Sequence, residues 1–190
     1  MSEKTLAKNS KAIQDLTVSG VCLALCMLLP LLTGQIPQIG AALSPMHIPV
    51  LLCGFLAGPA NAVIIGLVAP LLRLMIVGMP MPFMAIAMSF EMAVYGLVSG
   101  MMYKLLPKNL VYIYVSLVAA MLLGRIVWGI VTLQLSLSTL FPMLPFGWEQ
   151  FGWEEFVSGA FISAVPGIIL HIVLIPAVVI ALKKAKFIVS

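Results

Sequence analysis

The sequence predicts an all-α membrane protein, a bundle of six transmembrane helices with both termini in the cytoplasm. Three observations carry this reading. Of the 190 residues, 63% are hydrophobic and only 8% charged, with a mean hydropathy of +1.19. A soluble domain is ordinarily about half apolar and a quarter charged, and a globule of this size still exposes too much surface to hide such an excess. At about 20 apolar residues per crossing, the chain has room for roughly six spans. Finally, the lysines sort to one side of that bundle. A soluble enzyme, a nucleic-acid-binding protein and a large extramembrane domain are excluded. The net charge of +4 is no nucleic-acid signal, because the lysines lie at the chain ends and in one loop.

Breaks at Pro, Gly and charge define the elements. Span one is expected at 16–32, followed by a Gly/Pro/Gln loop at 33–44. Span two, 45–57, stops at Gly58-Pro59-Ala60-Asn61. Span three, 62–77, stops at the tight turn Gly78-Met79-Pro80-Met81-Pro82. Span four, 83–106, is broken by Pro107-Lys108-Asn109. Span five, 110–135, leads into the longest loop, 136–155, which carries Pro142, Pro145, Gly147, Trp148, Trp153 and three glutamates. Span six is expected at 156–182. The chain reads as one membrane domain, 1–190, with cytoplasmic tails at 1–15 and 183–190. The first 15 residues are polar and the first apolar run lacks a small-residue cleavage site, so no signal peptide is expected.

Lys4, Lys8 and Lys11 precede span one, Lys104 and Lys108 close span four, and Lys183, Lys184 and Lys186 follow span six. Six spans put all of them on one side. The opposite loops hold no Lys or Arg, and the last of them holds Glu149, Glu154 and Glu155. The positive-inside rule then places both termini in the cytoplasm of a plasma membrane.

Three charges fall inside spans: Arg73, Glu91 and Arg125. Each costs at least ~2.5 kcal/mol to insert, and such residues usually mark a functional path. Arg73 is near the outer end of span three. Glu91 is about 8 residues into span four, or ~12 Å deep, and Arg125 about 15 residues into span five, or ~22 Å. All three therefore reach the outer half of a ~30 Å core. Glu91 paired with one arginine is a structural lock. The second arginine then remains as positive charge for an anionic ligand group, which Arg binds in bidentate fashion. Trp128 shares a helix face with Arg125, and Gln134 adds a polar group near the outer end. Arg, Gln and Trp suit a small polar organic solute, not an inorganic cation. His47 opens span two on the outer side, where a helix-start role and a ligand role are equally open. His171, deep in span six, reads as a hydrogen-bonded packing residue. Glu149, Glu154 and Glu155, with Trp148, Trp153 and Phe156, form an outer surface and aromatic belt.

Small-residue faces recur at Gly20/Ala24, Gly54/Gly58 and Gly96/Gly100. The last two read as internal packing. Span one has no charge, so Gly20 and Ala24 are candidates for docking another membrane subunit. Cys22, Cys26 and Cys53 lie in apolar runs without metal-site spacing and read as small core residues. No metal or cofactor is expected. No P-loop, HExxH, GxSxG or usable Cys/His pair is present, so no ATP use by this chain and no enzymatic activity are expected.

The stretch Leu43-Ser-Pro-Met-His-Ile-Pro-Val-Leu-Leu-Cys-Gly-Phe-Leu-Ala-Gly-Pro59 resembles the second span of the substrate-binding S components of energy-coupling-factor (ECF) vitamin transporters. Gly66-Leu-Val-Ala-Pro-Leu-Leu-Arg73, and Glu91 ahead of Tyr95-Gly96, extend the likeness, which covers most of the chain from Leu16 to Lys184. The resemblance implies a vitamin pocket on the outer side, helped to close by the loop at 33–44. It implies an alanine-type face on span one that docks on a transmembrane T component; here Ala24 matches and Gly20 replaces the usual alanine. It also implies two cytosolic ATPase subunits that supply energy, and a prokaryotic cell. An arginine-rich outer pocket favours an anion such as pantothenate, and the Met-His-Ile-Pro stretch resembles pantothenate-type members. Pyridoxine, hydroxymethylpyrimidine, or a cobalamin precursor such as a benzimidazole or its riboside could instead stack on Trp128 and bond to Glu91. The competing class is an autonomous secondary transporter of a small organic anion. It needs a path to the cytoplasm, yet the inner half has almost no ionisable residue beyond His171. An intramembrane enzyme would need a reactive constellation at one depth, and none is found.

Overall fold

The computed structural model describes residues 3–32, 42–107, 109–137 and 153–185. Most of the loops expected at 33–44 and 136–155, with Trp148 and Glu149, lie outside the described residues, as do Lys108 and Lys186. Every regular element among the described residues is helical: α1 (Glu3–Leu32), α2 (His47–Ala57), α3 (Pro59–Val77), α4 (Pro82–Leu105), α5 (Leu110–Leu137), α6 (Trp153–Val157), a π-helical stretch (Ser158–Ile162) and α7 (Val165–Lys184). Five of these are long and apolar enough to cross a membrane: α1 from Asn9 onward, α3, α4, α5 and α7. The helical membrane bundle is as expected.

Three elements differ from their expected form. First, α1 begins at Glu3, so the polar stretch expected as a tail is helical. Residues 3–15 contain neither Pro nor Gly, and nothing in them resists helix. Apolarity marks where a helix meets lipid, not where it starts. Second, α2 has only 11 residues, all buried except Leu56. At 1.5 Å per residue it is ~16 Å long, half the hydrocarbon thickness, so it cannot cross alone. Third, the expected span six is broken. Pro166 lacks an N–H and its ring collides with the carbonyl four residues back, so the helix is interrupted ahead of it. The chain takes up the slack as a π-helical turn, in which the Ser163 N–H donates to the Ser158 carbonyl at 2.8 Å.

Helix α2 lies in the middle of the fold, in contact with α1, α3, α4 and α7. On one side Leu51 and Phe55 pack with Tyr95, Tyr103, Leu117, Ile175 and Val179. On the other, Val50 and Cys53 pack with Cys22, Cys26, Ala62 and Met92. The three cysteines are free and buried, as small core residues should be. They also help to join α1 to α2: the Cys26 thiol points at the Met46 carbonyl, 3.5 Å away, and Cys53 Sγ is 3.9 Å from Ser19 Oγ. Gly58, with φ of +87°, ends α2 and opens directly into Pro59 at the first turn of α3. Its expected packing role is therefore a turning role, since a Cβ there would meet nothing within 4 Å.

Close helix contact is concentrated on α4. A Cβ on Gly96 would come within 2.7 Å of Ala62 on α3, and one on Gly66 within 2.6 Å of the Met92 backbone. Gly54 faces Gly96 and Gly100 in the same way. In lipid, backbones approach this closely only over small residues. Gly20 is the opposite case, exposed on α1 with nothing within 4 Å of an added Cβ. We therefore expect Gly96→Ala to lower the melting temperature in detergent, by an overpacking cost of about 1–3 kcal/mol. Gly20→Ala should be neutral or slightly stabilising, because Ala is the better helix former by about 1 kcal/mol. Thermal denaturation followed by size-exclusion chromatography checks both; equal losses would contradict the packing described.

Candidate functional site

The helices bring one acid and several nitrogen donors to a single buried place. Glu91, at the tenth position of α4, is 1% exposed. One turn on, the Tyr95 hydroxyl donates to its Oε1 at 2.9 Å. Arg125 of α5 brings Nη1 to the same oxygen at 3.2 Å. His47, the first residue of α2, places Nε2 3.5 Å from Oε2. That separation allows charge attraction, but the atoms are not aligned as a hydrogen bond. The Tyr95 ring lies against Gly124, where any Cβ would collide with it, so α4 and α5 meet closely beside the acid.

The start of α2 is fixed by Ser44. Its φ is +45°, in the left-handed region that costs a non-glycine residue roughly 1–2 kcal/mol. In return its carbonyl accepts the His47 backbone N–H at 3.0 Å and faces His47 Nδ1 at 3.2 Å. A carbonyl can only accept, so Nδ1 carries the proton. His171 of α7 completes the group. It is 2% exposed, its ring centre is 6.2 Å from that of His47, and it shares a backbone hydrogen bond with Ser44. Three nitrogens here have no hydrogen-bond partner among the described residues: His47 Nε2, Arg125 Nε and His171 Nε2. Unsatisfied buried polar atoms are rare and costly. The group stands ~18–20 Å along α4 and α7 from the ends that carry Lys104 and Lys183.

The expected site residues divide as follows. Glu91, Arg125 and His47 come together. Trp128 lies one turn beyond Arg125, its ring stacked on Phe156 at 6.4 Å and close to Gly159. Phe156 also contacts Trp153 and Phe161, so an aromatic group adjoins the acid's partners on the side away from the lysines. Gln134 is exposed and does not join the group. It is about half a turn out of phase with Arg125 on the same helix. Arg73 is also apart. It is 5% exposed, and its Nη1 donates to the Met27 carbonyl of α1 at 3.4 Å, one turn before Pro30 in the same helix. Among the described residues no carboxylate pairs with it. Gly20 and Ala24 are exposed on α1.

Two members of the group are not among the expected site residues. Tyr95 had a readable signal, being four residues from Glu91 on one helix face. His171 had none, because only the meeting of α7 with the start of α2 reveals its neighbours. Among the described residues, no group of three or more His, Cys, Asp or Glu could hold a metal ion.

Comparison with curated proteins and with solved structures finds no match. The family model described as "ECF transporter, substrate-specific component" matches residues 14–183, a region that contains all of the residues gathered around Glu91. The chain therefore belongs to the ECF transporter substrate-specific component family, and it is a substrate-binding subunit of a membrane transporter rather than an enzyme.

Proposed function

We propose that this subunit captures a water-soluble vitamin or vitamin precursor in the group around Glu91, from the outer side of a prokaryotic plasma membrane. Transport then depends on a transmembrane T component and on ATP hydrolysis by two separate cytosolic subunits. The observation that carries the reading is the trio of buried nitrogens beside the Glu91–Arg125 pair that have no hydrogen-bond partner among the described residues. A ligand with hydrogen-bonding groups of its own would satisfy them and exclude water at the same time. Glu91 already holds Tyr95 and Arg125, so its first role is to orient the arginine. Arg125 and His47 would bind the polar end of the cargo and Trp128 would wall the apolar part. Arg73 and Gln134 stand apart and enter only as polar residues toward the same end.

Among the described residues, Arg125 keeps a free Nε–H beside the acid, which can hold an anionic oxygen, and pantothenate is the first candidate. Pyridoxine, hydroxymethylpyrimidine and a benzimidazole riboside are neutral alternatives. For docking, the support is geometric. Gly20 and Ala24 are exposed, and around Gly20 there is room for a neighbouring helix to approach.

Native mass spectrometry of the purified chain, titrated with these vitamins, tests the reading directly. A one-to-one pantothenate adduct is expected. Failure of folded protein to bind any vitamin would favour autonomous transport of another solute. Glu91→Gln keeps the shape and the Tyr95 bond but removes the charge that orients Arg125. It should weaken binding about tenfold or more, as expected for charge-assisted bonds worth about 1.5–3 kcal/mol. Arg125→Ala should abolish binding and also lower stability, by about 3–5 kcal/mol for a buried charge left without its partner. Gly20→Leu or Ala24→Leu should leave vitamin affinity intact and block uptake in cells that hold the T component and ATPases; uptake at the normal rate would sink the docking assignment.

A further inference from the structure

Among the described residues, His171 is a buried group for which neither the packing nor the ion pair supplies a complete set of partners. Its backbone bond to Ser44 takes one ring nitrogen. The unpartnered nitrogen is Nε2, so the bonded one is Nδ1. Because the Ser44 carbonyl is an acceptor, Nδ1 carries the proton. In the neutral ring Nε2 is then a bare lone pair, an acceptor looking for an O–H or N–H donor. At 2% exposure it cannot find that donor in bulk water. Nearby, Arg125 Nε is a donor with no acceptor among the described residues. Since neither His171 Nε2 nor Arg125 Nε has a hydrogen-bond partner among the described residues, the two do not bond to each other.

We propose that His171 is a substrate-contacting residue whose Nε2 accepts a hydrogen bond from a hydroxyl or N–H of the cargo, while Arg125 Nε donates to a neighbouring carbonyl or carboxylate oxygen. The inference rests on the substrate-binding reading of this site and sharpens it. The cargo class becomes a small molecule with a hydrogen-bond donor and an acceptor oxygen close together. A solute bearing only acceptors, such as a simple dicarboxylate, leaves His171 Nε2 facing a lone pair and is rejected. Discrimination of this kind is strong because a buried polar atom left unpaired costs more than a missing apolar contact. Pantothenate, with hydroxyls beside its amide carbonyl, has the required pattern. Unsubstituted benzimidazole, which carries no acceptor oxygen, does not.

Two substitutions separate the contact from the packing. In His171→Asn the side-chain amide can keep a donor toward Ser44, as Nδ1 does, while nothing remains at the Nε2 position. In His171→Gln a polar group reaches the Nε2 position. Affinity for pantothenate and for its analogue lacking the hydroxyl beside the carbonyl is measured by titration calorimetry on the purified full chain, with pyridoxine and its deoxy analogue as the second pair. Melting temperature is recorded for every variant. The expected result is that His171→Asn weakens the hydroxylated vitamin about tenfold to a hundredfold and the deoxy analogue less than threefold. His171→Gln should recover part of the loss. Equal weakening of both members of a pair, or affinity within twofold of the original, overturns the contact and leaves the transport-subunit reading standing. If the original chain binds neither vitamin, the vitamin reading fails, and the contact assigned to His171 falls with it.

Discussion

A carboxylate cannot be held in hydrocarbon without partners. Glu91 is almost completely enclosed, and the helices around it are arranged so that its two oxygens meet a tyrosine hydroxyl, a guanidinium and an imidazole. Those three groups come from α4, α5 and α2, so the acid is a junction where three elements must agree. An isolated charge at this depth would cost many kcal/mol, and even a paired one returns its desolvation cost only when the geometry is good. The left-handed Ser44 and the close seat of Tyr95 on Gly124 are the local adjustments that supply that geometry.

The second constraint is distance. Lipid offers no hydrophobic drive between helices, so contact must come from shape. The glycines of α4 and their counterparts on α2 and α3 let these backbones approach closely, and this brings α2 inward to the centre of the bundle. The burial of α2 in turn places His47 against Glu91. Packing and site are therefore one arrangement: the glycines that fix the distance of α4 from α2 and α3 lie on the same helix as Glu91.

Much of this was legible in the sequence. Composition and lysine placement indicate the membrane and the bundle, because insertion depends on summed apolarity, which needs no knowledge of contacts. The intramembrane charges mark the candidate site for the same reason: few residues other than functional or paired ones survive there. What stayed hidden depends on tertiary meeting. Arg73 and Arg125 look alike by depth, yet they lie on helices facing different neighbours, and only Arg125 reaches Glu91. Gln134 looks suitable by depth but is out of phase on its helix. His171 looks like filler until α7 is laid beside Ser44. Periodicity along one helix gives height and face; it does not say which face meets which.

The central position of α2 also bears on how such a site can change its chemistry. Each of the five long helices exposes apolar side chains, among them Leu28, Ile64, Phe90, Val118 and Ile169, and a polar substitution on such a face must first satisfy the bilayer. Helix α2 is screened from it by α1, α3, α4 and α7 and is too short to be an insertion signal of its own. Its opening turn can therefore exchange one polar side chain for another at a cost set by neighbouring protein groups alone. The proposed site can be rewritten at residues 44–47 without renegotiating how the protein enters the membrane.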